Sequence, residues 1–263
     1  MHIAGYLASI LIGISLGLIG GGGSILTVPV LVYLFEVDAI LATTYSLFVV
    51  GSTSIVGSIS YFKKGLVNLK TGFFFGIPSI VAVLLTRAYI VPAIPQDVFK
   101  VGDFMLTRDI LLMLLFAVLM ILASFSMIKK NKDDAHIIQK NRPVAVVLLQ
   151  GIGVGIVTGL IGAGGGFLII PVLVNMLKQP MKTAIGTSLF IIAINSLTGF
   201  FFSLNNQPIE WTFLLTIAII AIAGILIGSF LSTKIDGKKL KPAFGWFVLV
   251  MGIYILIKET ILK

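Results

Sequence analysis

Two stretches of the chain are near copies of each other. GLIGGGGSILTVPVLV at residues 17–32 returns as GLIGAGGGFLIIPVLV at residues 159–174, a shift of 142 positions with eleven of the sixteen pairs identical. A chain duplicated in this way folds as two related units, so every break or turn that one half needs must recur in the other. The surfaces the units share are then the first place to look for a site.

Composition decides the solvent. The 263 residues are 58% hydrophobic and 11% charged, with a mean hydropathy of +1.12. Apolar segments fall at 3–34, 39–62, 69–90, 110–128, 143–177, 183–204, 211–231 and 242–257, most of them close to the roughly 20 residues a helix needs to cross a hydrocarbon core of about 30 Å. Continuous runs such as IVAVLL and ILLMLLFAVLMILASF exclude a transmembrane barrel, whose strands alternate. The expected fold is an all-α polytopic membrane protein with the lipid bilayer as its solvent.

A net charge of +9 would suggest nucleic acid in a soluble chain. Here the basic residues lie in the short polar links between apolar segments and no aromatic-interleaved basic patch exists, so the charge reads as topology and nucleic acid is not an expected partner. The absence of cysteine excludes disulfides and thiolate metal sites. The opening MHIAGYLASIL has neither the basic region nor the cleavage site of a signal peptide and is expected to be the start of the mature chain.

The first and fifth apolar segments exceed 30 residues, which as one helix would span roughly 50 Å. Each carries a glycine cluster near its middle, and each is expected to break there. If every segment crossed once, the basic links 63–70 and 129–142 would lie opposite 178–182 and 234–241. If instead each long segment is a helical hairpin, all four basic links share the cytoplasmic side and the positive-inside rule is satisfied. Each half then has a Gly-tipped hairpin plus three crossings, and an odd number of spans makes the two repeats inverted. The expected division is a first repeat over 1–128, a cytoplasmic linker over 129–142 and a second repeat over 143–263. Eight simple spans with parallel halves is the competing topology.

The hairpin tips are Gly20, Gly21, Gly22, Gly23 and Ser24 in one half, and Gly162, Ala163, Gly164, Gly165 and Gly166 in the other. Beyond each tip a half-helix begins with unpaired backbone N–H groups and a partial positive charge, an arrangement an anion satisfies. Gly21, Gly22, Gly23, Ser24, Gly164, Gly165 and Gly166 are therefore candidate substrate contacts. Gly13, Gly17, Gly151, Gly155 and Gly159, at four-residue spacing, read as close-packing positions. Pro29 and Pro171 read as kinks.

The helix after each hairpin repeats too: ATTYSLF at 42–48 matches AIGTSLF at 184–190. Ser46, Thr53 and Gly57 pair with Ser188, Asn195 and Gly199, each set on one helix face, and Thr53 and Asn195 fall about halfway along their spans. Ser46, Thr53, Thr187, Ser188 and Asn195 are candidate donors to a substrate. Hydrogen bonding between helices is their competing role. No carboxylate, Lys or Arg lies at mid-span, so no proton relay is legible. Arg87, near a helix end, is expected to snorkel to the interface, with attraction of anions to the entrance as its competing role.

An enzyme is not expected. The histidines are His2 near the terminus and His136 in a polar link, no HExxH helix exists, and no intramembrane aspartate pair is present. No cofactor and no metal are expected.

The two Gly-rich stretches followed by PVL, with the TTYSLF and GTSLF segments after them, resemble the TauE/SafE (TSUP) family of sulfite and organosulfur anion transporters, and the resemblance covers essentially the whole chain. It implies a bacterial or archaeal inner-membrane protein carrying a small sulfur-containing anion such as sulfite, thiosulfate, a sulfonate or sulfoacetate. The residues on their own point to a small anion. The combined expectation is a secondary transporter working by alternating access as a monomer or homodimer, with a passive anion channel as the alternative.

Overall fold

The computed structural model describes residues 2–101, 104–128, 144–161, 165–204, 209–235 and 237–260. Its elements in chain order are α1 (His2–Ile19), α2 (Gly22–Tyr33), α3 (Ala39–Phe62), α4 (Leu69–Leu85), a π-helical turn (Thr86–Ile90), α5 (Val91–Ala93), β1 (Asp97–Val101), β2 (Phe104–Thr107), α6 (Arg108–Ile128), α7 (Val144–Ile161), α8 (Gly166–Pro171), a second π-helical turn (Val172–Met176), α9 (Met181–Ser203), α10 (Trp211–Lys234) and α11 (Gly237–Thr260). Five stretches are long and apolar enough to cross a membrane: Ile40–Phe62, Leu69–Ala93, Val144–Ile161, Met181–Ser203 and Trp211–Ser232. The chain is a polytopic α-helical membrane protein.

Local chemistry sets the helix starts. Asp38 caps α3 by accepting from the amides of Ile40 and Leu41, and Asn68 caps α4 by accepting from Thr71. Once inside, α4 turns the soluble-protein pattern outside in. Phe73, Ile77, Val81 and Leu85, four residues apart, are exposed, while Gly72, Gly76, Ser79 and Thr86 face the protein. An apolar stripe toward lipid and a small, polar stripe toward neighbouring helices is what a bilayer selects.

Both long segments break at their glycines, as expected. Gly20 has φ +76 and α2 starts two residues later, doubling back so that a Cβ on Gly23 would lie 2.2 Å from the carbonyl oxygen of Ile12. In the second half Gly165 has φ +66 and caps α8. At 12 residues α2 is about 18 Å long, too short to cross. Pro29 sits within α2, and Pro171 marks the point where α8 widens into a π-helical turn, one missing amide being enough to shift the hydrogen-bond ladder.

Glycine contacts fix the helix directions. Gly13 faces Ala221 and Gly17 faces Ser229, so α1 runs parallel to α10. Gly151 faces Phe75, Gly155 faces Ser79 and Gly159 faces Thr86, so α7 runs parallel to α4. These are the five glycines that the spacing assigns to packing, and at Gly13, Gly17, Gly151 and Gly155 the close neighbour includes backbone of the facing helix. Gly199 meets Leu47, Gly51 meets Leu197 and Gly57 meets Leu189, so α3 and α9 are antiparallel. Gly245 meets Ile128 and Gly252 meets Ile121, so α6 and α11 are antiparallel as well.

With these directions, α3 ends and α4 begins at the same end of the bundle, where α6 also ends, α7 and α9 begin, and α10 passes to α11. Lys63, Lys64, Lys70, Lys178, Lys182 and Lys234 all lie at that end. The opposite end carries Glu36, Asp38 and Glu210. It also carries the antiparallel β1–β2 pair, in which Val101 faces Phe104 and Lys100 faces Met105. This small hairpin is a departure from the all-helical expectation. Its strands alternate apolar with polar residues only over a few positions, too short a pattern to stand out beside the apolar helices.

Candidate functional site

The two hairpin tips meet. A Cβ placed on Gly21 would lie 2.4 Å from the carbonyl oxygen of Gly166, and one on Gly166 would lie 2.8 Å from the Cα of Gly21. Only glycine at both positions lets the backbones come this close. Ser24 lies beside the contact, its Oγ 3.1 Å from that same built position on Gly166, and its hydroxyl donates to the carbonyl of Gly21 at 2.7 Å. Gly22 opens α2, Gly23 packs on α1, and Gly164 lies outside the described residues.

Helix α9 holds the first tip. Ser188 donates to the carbonyl oxygens of Gly20 at 3.1 Å and Ile185 at 2.8 Å, and a Cβ on Gly20 would press against Ile185 and Ser188. The second tip touches α9 further along, since a Cβ on Gly166 would meet the Ile192 side chain at 2.6 Å. On its own side, the second tip rests on Thr158, whose hydroxyl oxygen would be 1.9 Å from a Cβ on Gly165. The tips therefore seal against each other and against α9, with no open space at the Gly21–Gly166 contact.

Helices α3 and α9 also carry a set of buried polar groups. Asn195 is fully buried, its Nδ2 donates to the Ser79 hydroxyl of α4 at 2.7 Å, and its Oδ1 has no partner among the described residues. The antiparallel register of α3 and α9 puts Thr53 level with Asn195. Thr53 is also fully buried and donates to the carbonyl of Val49 in its own helix. Ser46, the counterpart of Ser188, is buried with its hydroxyl unpaired among the described residues. Thr187 is placed elsewhere: its hydroxyl accepts the Asn68 amide at 2.9 Å, pinning the α3–α4 turn at the basic end. Gly57 and Gly199 pack on the facing helices, α10 and α9 for the first and α3 and α4 for the second.

Sequence reasoning passed over several groups of the same kind. Ser54 and Ser196, each next to a chosen residue and related by the same 142-residue shift, are buried with unpaired hydroxyls among the described residues. Thr86 and Thr158 are as well. A buried hydroxyl without a partner is costly in a bilayer, so a concentration of them marks a region built for something other than packing.

Arg87 corrects an expectation. Instead of snorkelling, its guanidinium lies in the π-helical turn and donates from Nη1 to the Ser203 hydroxyl of α9 at 2.9 Å, with Nε buried. It lines a small vestibule with a cavity volume of about 60 Å³, partly open to solvent, at the end of the bundle opposite the basic links. The helix containing it continues to Ala93, so Arg87 sits within the span rather than at its edge.

Comparison with known proteins agrees with this architecture. A profile described as sulfite exporter TauE/SafE matches residues 6–255. A protein of Xylella fastidiosa named Probable membrane transporter protein is 28% identical over 253 residues, covering 94% of this chain and 91% of its own length. Proteins also named as probable membrane transporters in Bacillus subtilis and Methanocaldococcus jannaschii are each 28% identical, over 89% and 94% of this chain and 90% and 92% of their own lengths. No solved structure matches the chain significantly. A duplicated, Gly-tipped helical bundle matched by this profile over nearly its whole length is a multi-pass membrane transporter, and the chain belongs to the TauE/SafE family.

Proposed function

We propose that this chain is a secondary transporter that carries a small sulfur-containing anion, such as sulfite, thiosulfate, a sulfonate or sulfoacetate, across the cell's inner membrane by alternating access. The single observation that carries the reading is the Gly21–Gly166 contact. Two half-helices meet there tip to tip, with their first amides and positive dipole ends near one point inside the bundle. When the tips part, those amides lose their packed surroundings, and an anion between them restores partners. Gly21, Gly22, Gly23, Ser24, Gly165 and Gly166 form the floor and roof of that site; Gly164, the remaining expected contact, lies outside the described residues. Ser46, Thr53, Ser188 and Asn195 form its polar wall, and Thr187 steadies the turn behind it.

The helix directions support inverted repeats over 1–128 and 143–263; the cytoplasmic linker expected over 129–142 lies outside the described residues. The counterparts α3 and α9 run antiparallel, as do α6 and α11, whereas an axis along the membrane normal would leave counterparts parallel. The parallel pairs exchange consistently: α1 with α10 in one arrangement, α7 with α4 in the other. The gathering of basic residues at one end supports a cytoplasmic face there. One chain supplies both tips and both polar stripes, so a single copy has a complete pathway whether it works as a monomer or within a homodimer.

Uptake into proteoliposomes of labelled sulfite, thiosulfate, sulfoacetate and sulfate, with and without an imposed pH gradient, tests the proposal. Saturable flux of one sulfur anion is the expected result, and its response to the gradient identifies proton coupling. Failure of every panel member to enter would remove the sulfur-anion assignment.

A further inference from the structure

The vestibule is unusual in its charge. Its walls come from α2 at Val28, the start of α3 at Ile40 and Thr43, the π-helical turn at Arg87, the start of α6 at Arg108 and Leu112, and the last turn of α7 at Gly159 and Ile161. The space thus runs from the end of the bundle opposite the basic links up to the last turn of α7, directly before the second glycine tip. Two of its lining residues are arginines. Both have a buried Nε with no hydrogen-bond partner, and among the described residues no carboxylate forms an ion pair with either.

Two guanidinium groups line one partly enclosed, mostly apolar space, where the buried part of each is poorly solvated. An arrangement without a compensating anion is therefore costly. Neither residue serves topology, because both stand at the end where the positive-inside pattern disfavours them. Arginine is also the side chain suited to planar oxyanions, offering several fixed N–H donors and a charge that survives burial. Arg87 is held in place by Ser203, and beside it Thr86 packs its Cβ and methyl group against Gly159 of the same wall, its hydroxyl unpaired among the described residues. On the far side of α7's last turn, the unpaired hydroxyl of Thr158 abuts Gly165 of the tip.

We propose that Arg87 and Arg108 form a docking site for a small dianionic oxyanion, one stop before the glycine tips, and that this pair selects substrate by charge. The site rests on the anion-transport reading above and deepens it. A dianion neutralises the pair, whereas a monoanion leaves one charge uncompensated in a region of low dielectric. The substrate class is accordingly a doubly charged sulfur oxyanion or sulfonate-carboxylate rather than a singly charged sulfonate.

The chain lacks cysteine, so Leu112→Cys places a single reporter in the vestibule. Its modification by an anionic methanethiosulfonate reagent is followed in the full-length protein in proteoliposomes, with sulfoacetate as the dianion and methanesulfonate as the monoanion. Sulfoacetate is expected to protect the cysteine at concentrations at least tenfold lower than methanesulfonate. Arg87→Gln and Arg108→Gln in that background should each raise the protecting concentration tenfold or more, with lysine at either position recovering part of the loss. Should Arg87→Gln fail to fold for want of its Ser203 bond, Arg108→Gln reads the same quantity, since no side-chain hydrogen bond ties Arg108 to another helix among the described residues. Equal protection by the two ligands, or protection unchanged in the glutamine variants, overturns the docking site. If saturable sulfur-anion uptake persists alongside that result, the transport reading stands and the docking site alone falls. Absence of both protection and uptake removes both.

Discussion

Gly21 of the first hairpin and Gly166 of the second are in backbone contact, so close that a methyl group on Gly21 would lie 2.4 Å from the Gly166 carbonyl oxygen. Gly21→Ala and Gly166→Val therefore force the tips apart. Overpacking of this kind costs about 1–3 kcal/mol, too little by itself to unfold a membrane bundle but enough to disable a seal that must re-form in each cycle. Uptake per purified molecule should fall at least tenfold in both variants while the thermal midpoint drops modestly. Gly153→Ala, which has nothing within 4 Å, is the matched control and should behave as the parent.

The packing glycines fail differently. A Cβ on Gly155 would lie 2.4 Å from the Ser79 carbonyl and one on Gly13 would lie 2.0 Å from the Ala221 carbonyl, at the α7–α4 and α1–α10 contacts. Gly155→Leu and Gly13→Leu should lower the thermal midpoint and the folded yield sharply, by similar amounts in the two halves. Thermal unfolding in detergent measures this. Retention of normal stability in either would mean that the helix pairs are not held as described.

Asn195 and Ser79 share one hydrogen bond, so removing either partner tests structure and function separately. A bond between transmembrane helices is worth about 0.6 kcal/mol on average, and both alanine variants should lose stability of that order. Only Asn195→Ala should raise the KM for the transported anion, because its Oδ1 side, and not Ser79, belongs to the proposed polar wall. Equal kinetic effects from both variants would move Asn195 to a purely structural role.

The absence of cysteine makes topology directly measurable. Single cysteines at Lys64 and Lys234 should react with a membrane-impermeant thiol reagent from the cytoplasmic side, and those at Glu36 and Glu210 from the other. Labelling of Lys64→Cys and Lys234→Cys from opposite sides would restore eight simple spans.

Much of this was legible in the sequence because bilayer physics acts on features that a single helix displays. Segment length, the glycine breaks and the distribution of lysine led to the two broken segments and to the gathering of Lys63, Lys64, Lys70, Lys178, Lys182 and Lys234 at one end of the bundle. Four-residue glycine spacing led to the close contacts of Gly13 and Gly155. What the sequence did not disclose depends on which faces meet. The polar stripes were assigned by comparing each helix with its repeat, which cannot distinguish Ser188, bonded to the Gly20 carbonyl, from its neighbour Thr187, committed to the α3–α4 turn. Ser54 and Ser196 were passed over because serine is common in membrane helices and only burial separates an unpaired hydroxyl from a satisfied one.

Arg87 was misplaced for a specific reason. By hydropathy the apolar segment ends at Ile90, which leaves an arginine one turn from the interface, where snorkelling is the default. Two features alter that: the π-helical turn at Thr86–Ile90 and the continuation of the span to Ala93. Neither has a sequence signature, since Pro92 just beyond the turn would ordinarily signal the start of a helix rather than the continuation of one.

Solute counterflow tests the central claim most directly. Proteoliposomes loaded with the unlabelled anion and diluted into a trace of labelled anion should accumulate label transiently above its equilibrium level, because a carrier whose site alternates between faces exchanges bound substrate one for one. Gly166→Val should abolish that overshoot. Label that rises to equilibrium without overshoot in the parent protein would contradict the account and identify the pathway between the glycine tips as a passive channel.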